Sequence, residues 1–187
     1  MLKKFFVAMF LTVFALVSNN ICNAKMPRSE MYLGGLTEGS KYNEMVRIYG
    51  QPTDTNPGYE YISTYKYGNS VKIVHYSYRD SICSIAVSDN NGWKTPSGVA
   101  VGQNISKVLD LYGNADYTES GTAKTAYCYF GEMYYSNDSK RNEPGLGFII
   151  VFNKNSGKIL EMGVYGSRGR SSGFSEYYRG MIENMVK

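Results

Sequence analysis

The sequence resembles itself at an offset of 63 residues. The range 35–50 (GLTEGSKYNEMVRIYG) aligns with 98–113 (GVAVGQNISKVLDLYG), with glycines at matching positions and Tyr-Gly at the end of both. In each range apolar residues recur at the i, i+3, i+4, i+7 spacing of a helix with one apolar face. The closing glycine suits the left-handed turn that ends a helix. The similarity therefore predicts two short helices at equivalent positions of a duplicated chain.

Strand-like runs follow each predicted helix. They are rich in Tyr, Val, Ile and Phe, and residues that favour turns separate them. The predicted strands are 59–67, 71–78 and 82–88 in the first half, and 125–130, 148–152 and 160–165 in the second. The second half also carries an insertion, 132–145. We predict an α+β fold of two tandem helix-plus-antiparallel-meander units, with the helices packed on one face of a shared or paired antiparallel sheet.

The N-terminus has the features of a secretory signal peptide. Lys3 and Lys4 supply a positive start, the apolar run 5–17 follows, and small residues ending at Ala24 offer a cleavage site. The apolar run is shorter than the roughly 20 residues that cross a bilayer as a helix, so a retained anchor is the weaker alternative. Lipid attachment at Cys22 is another, but the Asn-Ile before it lacks the small residues that such processing needs. We predict cleavage after Ala24, an extracytoplasmic (periplasmic or secreted) mature chain and no transmembrane span in it.

The chain then divides into four predicted parts. These are a signal peptide (1–24), a first α+β repeat (25–94), a second α+β repeat (95–166), and a basic Gly/Ser linker with a short C-terminal helix (167–187). The helix is predicted over 174–186, because Tyr177, Met181 and Met185 are spaced by four.

Charge and composition argue against several classes of function. Removal of residues 1–24 takes away two lysines and no acidic residue, which lowers the formal charge from +4 to +2. A nearly balanced chain has no electrostatic basis for binding nucleic acid. His75 is the sole histidine, so a site with several histidines is excluded, and no phosphate-binding glycine loop or calcium loop occurs. We predict no nucleic-acid partner, no metal and no cofactor.

No catalytic motif stands out. The sequence lacks a Gly-x-Ser-x-Gly elbow, and a Ser–His–Asp triad could use only His75. Cys83 and Cys128 both lie in apolar strand-like runs, where burial would raise the thiol pKa and suppress nucleophilic chemistry. We predict no enzymatic activity and no catalytic residue. In an oxidising compartment the two cysteines could form a disulfide, and the alternative is two buried apolar thiols.

Tyrosine is the most unusual feature of the composition, with 18 Tyr against one Trp. Its ring and hydroxyl suit half-buried sheet faces and recognition surfaces. The candidate binding residues are Tyr61, Tyr65, Tyr67, Tyr76, Tyr78, Tyr127, Tyr129, Tyr134 and Tyr135. The alternative is that these rings fill the space between sheet and helices.

The succession of helix, Tyr-Gly, x-Pro and short meander, in tandem behind a signal peptide, resembles the β-lactamase-inhibitor-protein-like fold. It is also similar to the small outer-membrane assembly lipoproteins of the SmpA/OmlA type, which carry one such unit. Ranges 39–52 and 102–114 carry this resemblance, although the second has Asn114 or Ala115 where the proline is expected. The resemblance implies a non-catalytic envelope module that binds another exported protein. Two alternatives are an inhibitor or regulator of an extracytoplasmic hydrolase, with 132–145 as its projecting loop, and a protein that binds cell-wall polysaccharide.

Overall fold

The fold is an antiparallel sheet with three helices. The computed structural model describes residues 26–58, 61–131, 133–136, 141–166 and 174–187, and within these the side chains of 133–136, 141–144 and 174–178 are not described. The predicted signal peptide and the linker 167–173 lie outside the described residues.

Ten strands and three helices form the described chain. The strands are β1 (Asp54–Pro57), β2 (Ile62–Tyr67), β3 (Val71–Tyr76), β4 (Ser81–Val87), β5 (Tyr117–Ser120), β6 (Lys124–Phe130), β7 (Met133–Ser136), β8 (Arg141–Pro144), β9 (Leu146–Asn153) and β10 (Ile159–Gly166). The helices are α1 (Tyr42–Tyr49), α2 (Ser106–Tyr112) and α3 (Phe174–Val186). Short 3-10 turns lie at Arg28–Glu30 and Ser77–Arg79.

Eight strands form one continuous sheet in the order β1-β2-β3-β4-β10-β9-β6-β5, and β7 pairs only with β8 in a separate hairpin. The prediction of two tandem helix-plus-meander units is therefore wrong. The two halves merge because β4 pairs with β10, placing Ile85 opposite Val164 at the centre of the sheet. This pairing satisfies the backbone groups that two separate sheets would leave at their edges.

The two faces of the sheet are covered differently. The inner face carries the larger core, in which Met45 of α1 and Val108 of α2 pack with sheet residues such as Ile73 and Phe148. On the outer face, Ile182 of α3 packs with Ala126, Cys128 and Val151. The two repeat helices, α1 and α2, thus lie on the same face of the sheet, and the C-terminal helix α3 covers the opposite face. The outer face of β2 and β3 stays open to solvent, with Ile62 and Lys72 exposed.

The N-terminal segment completes the inner core, although no periodic pattern predicts it. Met31, Leu33 and Leu36 are fully or almost fully buried there. Glu30 fixes the segment, since its carboxylate accepts a hydrogen bond from the Tyr112 hydroxyl at 2.8 Å and others from Ser97. Desolvation raises the pKa of Glu30, but these hydrogen bonds outweigh it and hold the pKa below its ordinary value.

Candidate binding surface

Three tyrosines meet where β2 begins and β3 ends. The ring centroids of Tyr61 and Tyr78 are 5.7 Å apart, and Tyr76 lies 6.3 Å from Tyr61 and 6.2 Å from Tyr78. Ile62 is the cross-strand partner of Tyr76, so both side chains stand on the outer face. Tyr61 is 51% exposed, Ile62 39% and Tyr78 73%. We call these four residues the aromatic patch. A cluster of this kind is informative because large apolar side chains are usually exposed singly.

The 3-10 turn Ser77–Arg79 holds Tyr78 in place. The backbone N–H and the hydroxyl of Ser77 both donate to the carbonyl oxygen of Tyr61, at 2.8 and 3.0 Å. The Lys41 ammonium donates to the carbonyl oxygen of Arg79 at 3.1 Å. The side chain of Tyr78 is therefore exposed, while hydrogen bonds hold its turn to Tyr61, just before β2, and to Lys41, just before α1.

Asp80 closes this turn. Its backbone N–H donates to the carbonyl oxygen of Ser77 at 3.1 Å, and its φ of 43° lies in the left-handed region. The backbone N–H of Tyr42 and the Nε2 atom of His75 lie 3.1 and 2.9 Å from Asp80 Oδ1. Hydrogen bonds from Tyr42 and His75 hold the pKa of Asp80 below its ordinary value, although desolvation acts against them. Because an ionised carboxylate only accepts, His75 Nε2 carries the proton of this bond.

The other tyrosines of the predicted binding set do not join the patch. Tyr65, Tyr67 and Tyr127 are half-buried against the inner core, and Tyr129 is fully buried, with its hydroxyl donating to the carbonyl oxygen of Gly113 at 2.9 Å. The prediction of a binding role is wrong for Tyr129, because no partner can reach it. The side chains of Tyr134 and Tyr135, on β7, lie outside the described residues.

Sequence reasoning missed part of the site. Ile62 lies within a predicted strand, but nothing in the run distinguishes it from a core residue. Asp80 belongs to a predicted turn, and its αL backbone is a conformation that Asp adopts more readily than most residues. The contact between the Asp80 carboxylate and α1 joins residues 38 apart in sequence, and no local pattern predicts it.

The hydroxyl groups of Tyr78 and Tyr129 are expected to differ in their effect on stability. Tyr129→Phe should lower the free energy of unfolding by about 1–2 kcal/mol, because it removes the hydrogen bond that the fully buried Tyr129 donates to the carbonyl oxygen of Gly113. Tyr78→Phe should change it by less than about 0.5 kcal/mol, as expected of a surface substitution. Urea unfolding of the two variants in parallel measures the difference. Equal midpoints would contradict the division into core and surface tyrosines.

The two cysteines do not form the disulfide that was one of the predicted alternatives. Cys83 lies on β4 and Cys128 on β6, with β10 and β9 between these strands. At about 4.8 Å per strand the two chains lie roughly 14 Å apart, whereas a disulfide needs Cα atoms within about 7 Å. Cys128 is buried beneath α3, and burial raises the pKa of its thiol.

Among the described residues, no group of three or more His, Cys, Asp and Glu side chains could hold a metal ion. Of the helices in the described part of the chain, none is both long and apolar enough to cross a bilayer.

Comparison with known proteins assigns no family. No family model matches the sequence, and no curated protein matches it. The resemblance to β-lactamase-inhibitor-protein-like and SmpA/OmlA-type proteins stays a prediction, because none of the solved structures that we compare below belongs to either group.

Three solved structures show weak similarity. An extracellular protein with an SCP domain from Bacillus anthracis has 9% identity and a TM-score of 0.46, over 69% of this chain and 44% of that chain. A cysteine-rich secretory protein from Staphylococcus aureus has 14% identity and a TM-score of 0.49, over 78% and 49%. A DUF4309 family protein from Bacillus subtilis has 12% identity and a TM-score of 0.39, over 77% and 88%. The chain spans less than half the length of the first two, and similarity at this level assigns no function.

Proposed function

We propose that this chain is a non-catalytic exported protein that binds another protein outside the cytoplasm through the aromatic patch. The observation that carries the proposal is the exposure of Tyr61, Ile62 and Tyr78 in one cluster. Tyrosines provide a large contact area at low entropic cost, and they are enriched among the residues that dominate protein interfaces. The predicted signal peptide supports the location.

The geometry of the patch favours a protein partner over a polysaccharide. The ring planes are tilted by 81° between Tyr61 and Tyr76, 54° between Tyr61 and Tyr78, and 60° between Tyr76 and Tyr78. Such rings offer no common flat face on which a row of sugars could stack. They form an uneven apolar surface, and apolar side chains of a folded partner can fill the spaces between the rings.

Charge next to the patch indicates what the partner carries. Arg79 is exposed beside Tyr78, and the Lys41 ammonium lies at the same turn. The carboxylate of Asp80 is engaged by His75 and α1. We therefore expect an acidic residue beside the apolar anchors of the partner, because complementary charges steer association and fix the register of an interface.

A second candidate function is inhibition of an extracytoplasmic hydrolase. The observation that favours it is the pairing of β7 with β8, which turns most of the insertion 132–145 into a hairpin separate from the main sheet. In this case the hairpin, rather than the aromatic patch, would contact the partner.

Site-specific photocrosslinking tests both candidates. A benzophenone amino acid at position 78, in cells that export the protein, is expected to give a protease-sensitive adduct that Arg79→Glu weakens and Tyr61→Ser removes. The same group at exposed Lys154, in the turn between β9 and β10, is the matched control and should give none. An adduct at 134 instead of 78 would favour inhibition. An adduct that resists protease and yields to a cell-wall hydrolase would refute a protein partner, and so would equal labelling at 78 and 154.

A further inference from the structure

We propose that Asp80 is a positioning residue for the aromatic patch: its carboxylate joins the Tyr78 turn to buried His75 and to the N-terminus of α1. The binding role of the patch rests on the proposed function above. The positioning itself rests only on contacts within the chain.

One carboxylate oxygen joins three elements of the fold. Asp80 Oδ1 lies 2.9 Å from His75 Nε2 at the end of β3, and 3.1 Å from the backbone nitrogen of Tyr42 in the first turn of α1. The first N–H groups of a helix have no partner within it, so Asp80 supplies an acceptor from a distant segment. The end of the Ser77–Arg79 turn is thereby fixed to the body of the protein.

The backbone conformation of Asp80 indicates that its side-chain contacts account for aspartate at this position. A φ of 43° strains a residue with a Cβ, whereas glycine would adopt it freely. The carboxylate contacts offset this strain. They also explain why the turn carries an acidic residue at a position where the conformation alone favours glycine.

His75 is a rigid attachment point for this contact. It is almost fully buried, and its ring lies 5.9 Å from the ring of Tyr42 and 5.8 Å from that of Tyr65. A ring packed in this way cannot follow the turn if the turn moves. The sole histidine of the chain thus has a structural contact with the residue that closes the Tyr78 turn.

The test compares Asp80→Gly with Asp80→Asn. Asp80→Gly relieves the backbone strain and removes the acceptor, so the protein should fold while the nuclear Overhauser contacts between the Tyr61 and Tyr78 rings are lost. Asp80→Asn keeps an oxygen acceptor and a residue that tolerates this conformation, so it should retain them. His75→Phe keeps a buried aromatic ring but removes both ring nitrogens, of which Nε2 contacts Asp80, and it should weaken the contacts between the Tyr61 and Tyr78 rings.

Crosslinking from position 61 then relates positioning to binding. Asp80→Gly should reduce the adduct yield about fivefold, because apparent affinity falls with the fraction of molecules in the competent arrangement. Asp80→Asn should restore the yield. Ring contacts that persist in Asp80→Gly would overturn the inference, whether or not an adduct forms. If the unmodified protein has intact ring contacts but gives no adduct, the proposed function fails and the positioning role of Asp80 stands.

Discussion

Replacement of Gly34 by alanine is expected to lower the free energy of unfolding by about 3 kcal/mol or more. A Cβ atom at this position would lie 2.1 Å from the Tyr49 hydroxyl oxygen and 2.7 Å from Cε3 of Trp93. The two rings are stacked at 4.3 Å, and the Tyr49 hydroxyl donates to the carbonyl oxygen of Gly34. The Tyr49 and Trp93 rings therefore cannot move away from an added methyl group without loss of core packing. The φ of +59° adds backbone strain for any residue with a Cβ.

Gly39→Ala is the matched control for this experiment. Gly39 also has a positive φ, +89°, but nothing lies within 4 Å of the position that an alanine methyl group would occupy. It should therefore show only the backbone cost, about 1–2 kcal/mol. Urea unfolding followed by tryptophan fluorescence measures both variants, and Trp93 reports directly on the contact because it is the sole tryptophan. Equal losses in the two variants would show that the methyl group is accommodated and that backbone strain alone matters.

The helices could be predicted from the sequence because the patterns that mark them are local. The Tyr-Gly endings mark the C-termini of α1 and α2, where Gly50 and Gly113 follow the last helical residue with φ values of 75° and 67°. The helix predicted over 174–186 has the same limits as α3. In each case the apolar spacing and the helix end lie within a few consecutive residues, and tertiary contacts did not have to override them.

The sequence predicted the sheet only in part, because strand pairing is not determined by local sequence. The edge strands β1 (DTNP) and β5 (YTES) are four residues long and contain few apolar residues, so neither shows the longer alternating run that predicts a strand. They form because β2 and β6 offer unpaired backbone groups beside them. The pairing of β4 with β10 joins residues far apart in sequence. No pattern within either strand predicts which strand it pairs with. Single-sheet architecture and the separation of the cysteines both follow from that pairing.

The tyrosines could have been divided more finely by the period-two pattern of strands. Ile73 and His75 are buried on the inner face of β3, so Lys72 and Tyr76 must point outward. By the β2–β3 register Tyr65 stands opposite Ile73 and shares its inner face. A lysine two or four residues from a tyrosine in the same strand thus indicates that the tyrosine ring lies on the solvent-exposed face of the sheet. The position of Tyr78 had no such signal, because it lies in the turn beyond the strand.

The second large effect is expected where α3 covers the outer face. Ile182→Ala removes a buried side chain that packs with Cys128 and Val151, and it should weaken the docking of α3 by about 2–4 kcal/mol. Burial raises the pKa of the Cys128 thiol, so labelling by a disulfide reagent under native conditions requires α3 to open. A loss of about 2.7 kcal/mol should therefore accelerate labelling of Cys128 about 100-fold.

A Cys83→Ser background leaves Cys128 as the single thiol after the predicted removal of residues 1–24, so the labelling rate reports on one site. Glu183→Ala is the control, because Glu183 is exposed on the same helix and its loss should leave the rate unchanged. If α3 opens as a separate unit, the rate rises further than the shift in the global unfolding midpoint accounts for. If α3 opens only with the whole sheet, the two changes agree. A rate in Ile182→Ala equal to that of the control would mean that α3 does not shield Cys128, and that the outer face of β6 and β9 is closed by other contacts.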